Sequence, residues 1–398
     1  MSEDKRVHLF DSTLRDGAQT QGVDFTVADK VAIAEALDRL GVSYVEGGWP
    51  GANPTDDAFF ADPPAFRTSR FVAIGMTRRP GRSADNDPGL AALVNSKADA
   101  VCMVGKAWDF HVDVALGISR EENIAMIGDS IAYLAQRKAE VHFDCEHFFD
   151  GFKANPEFAL ACLKAAQEAG ARWLVLCDTN GGTLPDEVER IVAAAVAAVP
   201  GARIGIHCHN DTENAVANSL AAVRAGARQI QGTINGLGER CGNANLISLI
   251  GSLALKTDYD IGIGKERLHQ LTTLSHLLDE RLNRSPAKNA AYVGESAFAH
   301  KGGLHVSAVE KDPRTYEHIE PEWVGNRRHI LVSDQSGKAN ILARFREIGL
   351  EMDPNDDKVS RLVEEVKRRE FDGYAYDSAE ASFELLARRA LGEVPASW

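Results

Sequence analysis

Short apolar runs rich in β-branched residues recur along the first part of the chain: VHLFDST (7–13), SYVEGGW (43–49), RFVAIGM (70–76), AVCMVG (100–105), VHFDCEHF (141–148), WLVLCDT (173–179), RIGIHCHN (203–210) and RQIQGTIN (228–235). Their near-continuous hydrophobicity predicts strands buried on both faces, as in a parallel sheet. Helix patterns lie between most of them. TVADKVAIAEALDRLG opens on a Thr26/Asp29 capping pattern and stops at Gly41. NPEFALACLKAAQEAG has Asn155 as cap, Pro156 at the first helical position and Gly170 as stop, and ENAVANSLAAVRAG ends likewise at Gly226. Eight such units predict an α/β protein built on a (β/α)8 TIM barrel over residues 1–265. An open doubly wound sheet would share the rhythm, but no G-x-G-x-x-G follows the first run.

After about residue 265 the alternation stops. KERLHQLTTLSHLLDERLN reads as a helix, SPAKNAAYVGESAFAHKGGLH as a Gly- and Ala-rich loop, and residues 355–392 as helical again. The expected organisation is therefore a barrel (1–265), a linking subdomain (266–330) and a small, mainly helical subdomain (331–398).

Composition narrows the function classes. The 398 residues are 44% hydrophobic and 26% charged, ordinary for a soluble globular protein, and the net charge of −14 argues against nucleic acid or an anionic membrane as the main partner. No run of about 18 apolar residues predicts a membrane span. The start, MSEDKRVHLF, lacks the apolar core of a signal peptide. Six cysteines form no C-x-x-C pair, so reduced thiols and a cytoplasmic location are expected.

In a barrel of this kind chemistry collects where strands end. Those ends carry Arg15 and Asp16, Glu46, Asp144 and Glu146, Asp178 and Thr179, His207 and His209, and the segment NGLGERCGN. His207 and His209 are two apart, so on a strand both point to one face and offer two imidazoles to a metal. Asp16 adds a carboxylate and Asn243 an amide oxygen. This mixed set suits Mn²⁺, Mg²⁺ or Zn²⁺ with positions left open for substrate, not a closed structural zinc site.

STLRDGAQ, LCDTNGG, IHCHNDTENAVANSLAAVRAGARQIQGTINGLGERCGN and HKGGLH, in that order, resemble the DRE-TIM metallolyase superfamily and, within it, the branch that performs Claisen condensations. YVEGGWPGANPTD and FDCEHFFDGFKANPEFAL are most similar to the citramalate synthase group of that branch. The resemblance implies an acyltransferase that joins acetyl-CoA to pyruvate and hydrolyses the thioester. Isopropylmalate or homocitrate synthesis with another 2-oxo acid, or a metal-dependent aldolase or lyase, remains as the alternative. GLGERCGN replaces the lyases' Gly-Gly-Cys-Pro loop, so Cys241 reads as a small loop residue and not a catalytic thiol.

The resemblance further implies Asp16, His207, His209 and Asn243 as metal ligands and Arg15 as the cation facing developing negative charge, with a salt bridge to Asp11 or Glu46 as its plainer role. Glu146, His300 and Tyr316 become the acid–base set, His305 competing with His300. Thr179, Asp144 and Trp49 join Arg15 in binding substrate; Asp144 stands where some members carry an aromatic residue, and a core position is the plainer role for Trp49. A homodimer with sites completed in trans by the arm carrying His300 and Tyr316 is expected. So is the lack of the regulatory domain of two ββα units that commonly ends these synthases, and with it insensitivity to isoleucine and leucine.

Overall fold

The computed structural model describes residues 5–395. Residues 1–4 and 396–398, assigned above to the barrel and the helical subdomain, lie outside the described residues. Eight strands form a closed parallel barrel in sequence order: β1 (His8–Asp11), β2 (Tyr44–Gly48), β3 (Arg70–Met76), β4 (Ala100–Lys106), β5 (Glu140–Glu146), β6 (Trp173–Asp178), β7 (Ile204–Cys208) and β8 (Gln229–Gly232). β8 closes on β1 with Leu9 opposite Ile230 and Phe10 opposite Gln231. Each strand coincides with a predicted run, β4 ending and β5 beginning one residue outside it, because a strand covered on both faces writes its burial into unbroken hydrophobicity. β2, β6, β7 and β8 are buried along their whole length.

Local chemistry sets the helices. Thr26 accepts from the Asp29 amide at 3.2 Å while the Asp29 carboxylate accepts from the Thr26 amide at 3.0 Å, opening the helix Val27–Leu40. Gly41 closes it at φ 100°, where an L side chain would be strained. Asn155 caps Pro156–Glu168 by accepting from the Phe158 amide at 3.2 Å.

The lumen is a packed core. Phe10, Tyr44, Val72, Ile74, Ala100 and Cys102 fill its middle. Below them the His142 ring meets Tyr44 edge-on at 4.7 Å, and His8 meets Trp173 at 5.2 Å. With the lower end plugged, the strands' C-terminal mouth is where a ligand can enter.

The chain divides into two compact units, the first running to Pro286 and the second beginning at Ala287. The first therefore extends past the expected boundary at 265. Its added helix, Gln270–Arg281, is tied to the loop after β8, where Asn235 donates to the Ser275 carbonyl at 3.0 Å and Ser275 donates back to Asn235 at 2.7 Å. A helical pattern announces an apolar face but not the surface that will cover it. In the second unit, Ala299–His300 and His329–Ile330 form a two-stranded parallel ladder. The helix Gly303–Val309 begins inside the stretch read as loop. Lys338–Glu347, Asp357–Phe371 and Glu380–Leu391 pack around Phe345, Val359, Leu362 and Phe383. Gly373, at φ 96°, separates the last two where one helical region had been expected. No helix among the described residues is long and apolar enough to cross a membrane.

Candidate active site

β1 ends in a tight turn whose Ser12 carbonyl accepts from the amides of Arg15, Asp16 and Gly17 at 3.2, 2.8 and 3.1 Å. The turn delivers Arg15 and Asp16 to a cleft of about 260 Å³ at the barrel mouth, where His207 and His209 arrive from the end of β7. Asp16 Oδ2 lies 3.4 Å from His207 Nε2 and 3.9 Å from His209 Nε2, and the two Nε2 atoms are 3.4 Å apart. Burial opposes charge on Asp16, yet Arg15 and then the two imidazoles hold its carboxyl well below the usual range. Burial, followed by repulsion from His207, lowers His209 to about 4.

Gln231, in register with His207 across β7 and β8, orients that ring. Its amide nitrogen donates to Asp144 Oδ1 at 2.9 Å, which leaves its oxygen to accept from His207 Nδ1 at 2.8 Å. With Nδ1 so engaged, His207 Nε2 is the ring atom left to face Asp16, and it would be the one offered to a metal. Asn243 sits beside His209 through a backbone bridge and spends its amide nitrogen on the Leu237 carbonyl at 3.1 Å. Its oxygen, like Asp16 Oδ1, is buried with no hydrogen-bond partner. Unpaired buried acceptors are costly. Two carbonyl-type oxygens and two imidazole nitrogens are the set a divalent cation satisfies, and Asp16, His207 and His209 form the cluster with metal-binding spacing among the described residues.

Arg15 pairs through Nε with fully buried Glu46 at 2.7 Å while still lining the cleft, so the salt bridge does not withdraw it from the mouth. Ser12 Oγ donates to the same Glu46 oxygen at 2.5 Å. Asp11 instead accepts from Thr13, and burial lifts its carboxyl to about 7.

Asp144, Glu146, Thr179 and Trp49 line the same cleft, with Ile74, Met76, Val104 and Cys177 as its apolar surface. Trp49 is 37% exposed, a rim residue and not a core one. The Thr179 hydroxyl accepts from the His147 amide at 2.8 Å, and its carbonyl accepts from Arg240 at 2.7 Å.

His300 and Tyr316 belong to the second unit. His300 is buried, its Nε2 3.0 Å from Glu317 Oε1, and Arg328 grips the same carboxylate through two 2.6 Å bonds. His305 is exposed and its ring stacks on Tyr316 at 4.1 Å.

Three functional candidates were absent from the sequence reading. Lys106 ends β4 one residue beyond the run read as a strand and pairs with Glu146. Gln231 follows β8's inward alternation, a signal that was legible. Arg240 also lines the cleft; it is held at φ 56° and donates to Asp211 at 2.8 Å, which nothing in local sequence announces.

A parallel eight-stranded barrel with an Asp–His–His cluster at its mouth defines a class. The HMGL-like family matches residues 6–274, and the chain belongs to it. Residues 292–372 match the homocitrate synthase post-HMGL domain-like family. Among curated relatives, an (R)-citramalate synthase of Geobacter sulfurreducens is 52% identical over 97% of this chain and 73% of its own. One of Aquifex aeolicus is 50% identical over 98% and 74%. The solved hydroxymethylglutaryl-CoA lyase of Pseudomonas aeruginosa superposes with a TM-score of 0.59 at 20% identity, covering 71% of this chain and 95% of that one, which shows the shared barrel.

Proposed function

We propose that this chain is an acyltransferase that condenses acetyl-CoA with pyruvate to (R)-citramalate. Near-full-length identity to (R)-citramalate synthases carries the reading, and the mouth of the barrel supplies the chemistry. The acetyl methyl group loses a proton, and its carbon bonds to C2 of pyruvate. The former keto oxygen takes up a proton to become the tertiary hydroxyl. Water then cleaves the thioester, releasing CoA thiol and a carboxylate.

Asp16, His207 and His209, with the Asn243 oxygen, would hold a divalent ion. When bound, it supplies Lewis-acid polarisation of a chelating 2-oxo acid. Arg15, its guanidinium fixed by Glu46, faces oxygen where negative charge develops. Thr179 and the Asp144 side of the cleft position the acceptor, with Trp49 at the rim. Glu146 is the barrel's acid–base group. From the second unit we assign His305 with Tyr316 as its counterpart, because His300 is committed to Glu317. His300 then orders the arm.

A thiol-release screen with metal, acetyl-CoA and glyoxylate, pyruvate, 2-oxobutyrate, 2-oxoisovalerate or 2-oxoglutarate tests the reading. Pyruvate should give the highest kcat/KM, and chiral chromatography should show the R product. A preference for 2-oxoisovalerate or 2-oxoglutarate would move the assignment to isopropylmalate or homocitrate synthesis. We further propose a homodimer in which the second unit serves the partner's barrel. Leu304, Tyr316 and Trp323 leave apolar surface exposed on that unit. Mixing Glu146→Gln with His305→Ala chains should restore activity that neither has alone; no recovery after verified subunit exchange rejects sharing.

A further inference from the structure

Glu146 does not stand alone at the mouth. Its carboxylate is ion-paired with Lys106, and the two residues are register partners at the ends of β5 and β4. Both strand ends are pinned. The Ala107 amide donates to the Glu146 carbonyl at 3.1 Å. The Lys106 carbonyl accepts from Asn123 Nδ2 at 3.0 Å and lies 3.6 Å from Cys162 Sγ. The backbone therefore leaves the pair little freedom to separate, and both side chains are largely shielded from water, at 13% and 24% exposure. Lys106 itself does not line the cleft that Glu146 lines. It meets the reaction through Glu146.

We propose that Lys106 is the positioning residue of Glu146, holding its carboxylate in one orientation at the cleft. This rests on the acid–base role assigned to Glu146 above. A cation in contact fixes where a carboxylate's oxygens point, and Lys106 is the cation in contact with Glu146. A fixed orientation keeps the accepting oxygen aimed at the substrate. The other titratable groups around the pair are His111 from the short helix after β4, His147 and Asp150 after β5, Cys177 on β6 and Cys162 against the Lys106 carbonyl. Of the pair's neighbours, only the lysine is permanently charged and in contact with Glu146.

The test uses the full-length chain with Mg²⁺. In Lys106→Met, kcat should fall about ten- to a hundredfold with KM for pyruvate unchanged. The acid limb of the kcat/KM profile should move up by about one pH unit. Lys106→Arg, which keeps the charge, should restore the wild-type acid limb. Lys106→Gln serves if the methionine variant does not fold. Carboxyl-¹³C NMR of labelled glutamate, with Glu146 identified by Glu146→Gln, should show the same upward shift without any turnover. An unchanged acid limb and NMR midpoint overturns the proposal, as does a loss confined to KM, which would mean that Lys106 touches substrate. If the wild type releases no thiol with any 2-oxo acid, the functional reading fails, and the NMR titration still decides whether Lys106 controls Glu146.

Discussion

The two ends of the barrel are built from the same residue types and behave differently. At the lower end, His8 and His142 pack edge-on against Trp173 and Tyr44. The Tyr44 hydroxyl donates to Glu140 at 2.9 Å and accepts from Trp173 Nε1 at 3.2 Å. Arginines 6, 172 and 203 surround that end; burial, and then their charge, lower His8 to about 4. At the upper end, His207 and His209 turn their Nε2 atoms toward one carboxylate, and two neighbouring oxygens have no partner. Histidine beside a carboxylate is thus a packing element at one end and part of a cluster with metal-binding spacing at the other. What separates them is convergence: aromatic rings close around the lower imidazoles, whereas the upper ones turn their Nε2 atoms, with a carboxylate, toward one point that a cation could occupy.

The comparison can be broken experimentally, most forcefully at the upper end. Asp16→Ala should lower turnover at least a hundredfold, on the order of what lost metal contacts cost, and abolish Mn²⁺ binding seen by electron paramagnetic resonance. Normal Mn²⁺ affinity in that variant would show that the cluster is packing after all. Arg15→Lys keeps the charge but not the planar guanidinium that bonds Glu46 through Nε and still faces the cleft, and should reduce kcat by about a hundredfold with the circular dichroism spectrum unchanged.

Gln231→Leu frees the His207 ring. Metal affinity, read by isothermal titration, should weaken about tenfold or more.

The smallest effect on activity belongs to the lower end. His8→Phe should leave kcat within error of the wild type while changing the pH dependence of stability. A histidine whose folded pKa is about 4 against an unfolded value near 6.5 binds its proton more readily when unfolded. Its stabilising effect is therefore complete above pH 6.5 and is lost as pH falls toward 4, by up to about 3 kcal/mol. Urea unfolding at both ends of that window should show a flatter profile for His8→Phe. Equal slopes would mean that His8 is not protected as its packing implies.

Much of this architecture was legible because burial on two faces leaves an unmistakable trace in sequence. The eight strands, the caps at Thr26 and Asn155 and the glycine stops all follow from local rules. Asp16, His207 and His209 could be picked out because a H-x-H on a strand has one geometric reading and barrel chemistry has one end. The Lys106–Glu146 pair was invisible, since the two residues are forty positions apart and only the register of β4 against β5 sets them side by side. The resemblance put His300 ahead of His305, and nothing in the glycine-rich stretch itself argued for the reverse order. A packed second unit was needed to bury one against Glu317 and stack the other on Tyr316.

By itself, then, the sequence determined which segments are strands, where they end, and so which side chains reach the mouth. Those properties depend on periodicity and capping within a few residues. Only the tertiary structure decided which of those side chains are partners: Gln231 for His207, Glu46 for Arg15, Lys106 for Glu146. Pairing across a barrel is set by strand register and closure, and no local stretch of chain encodes either.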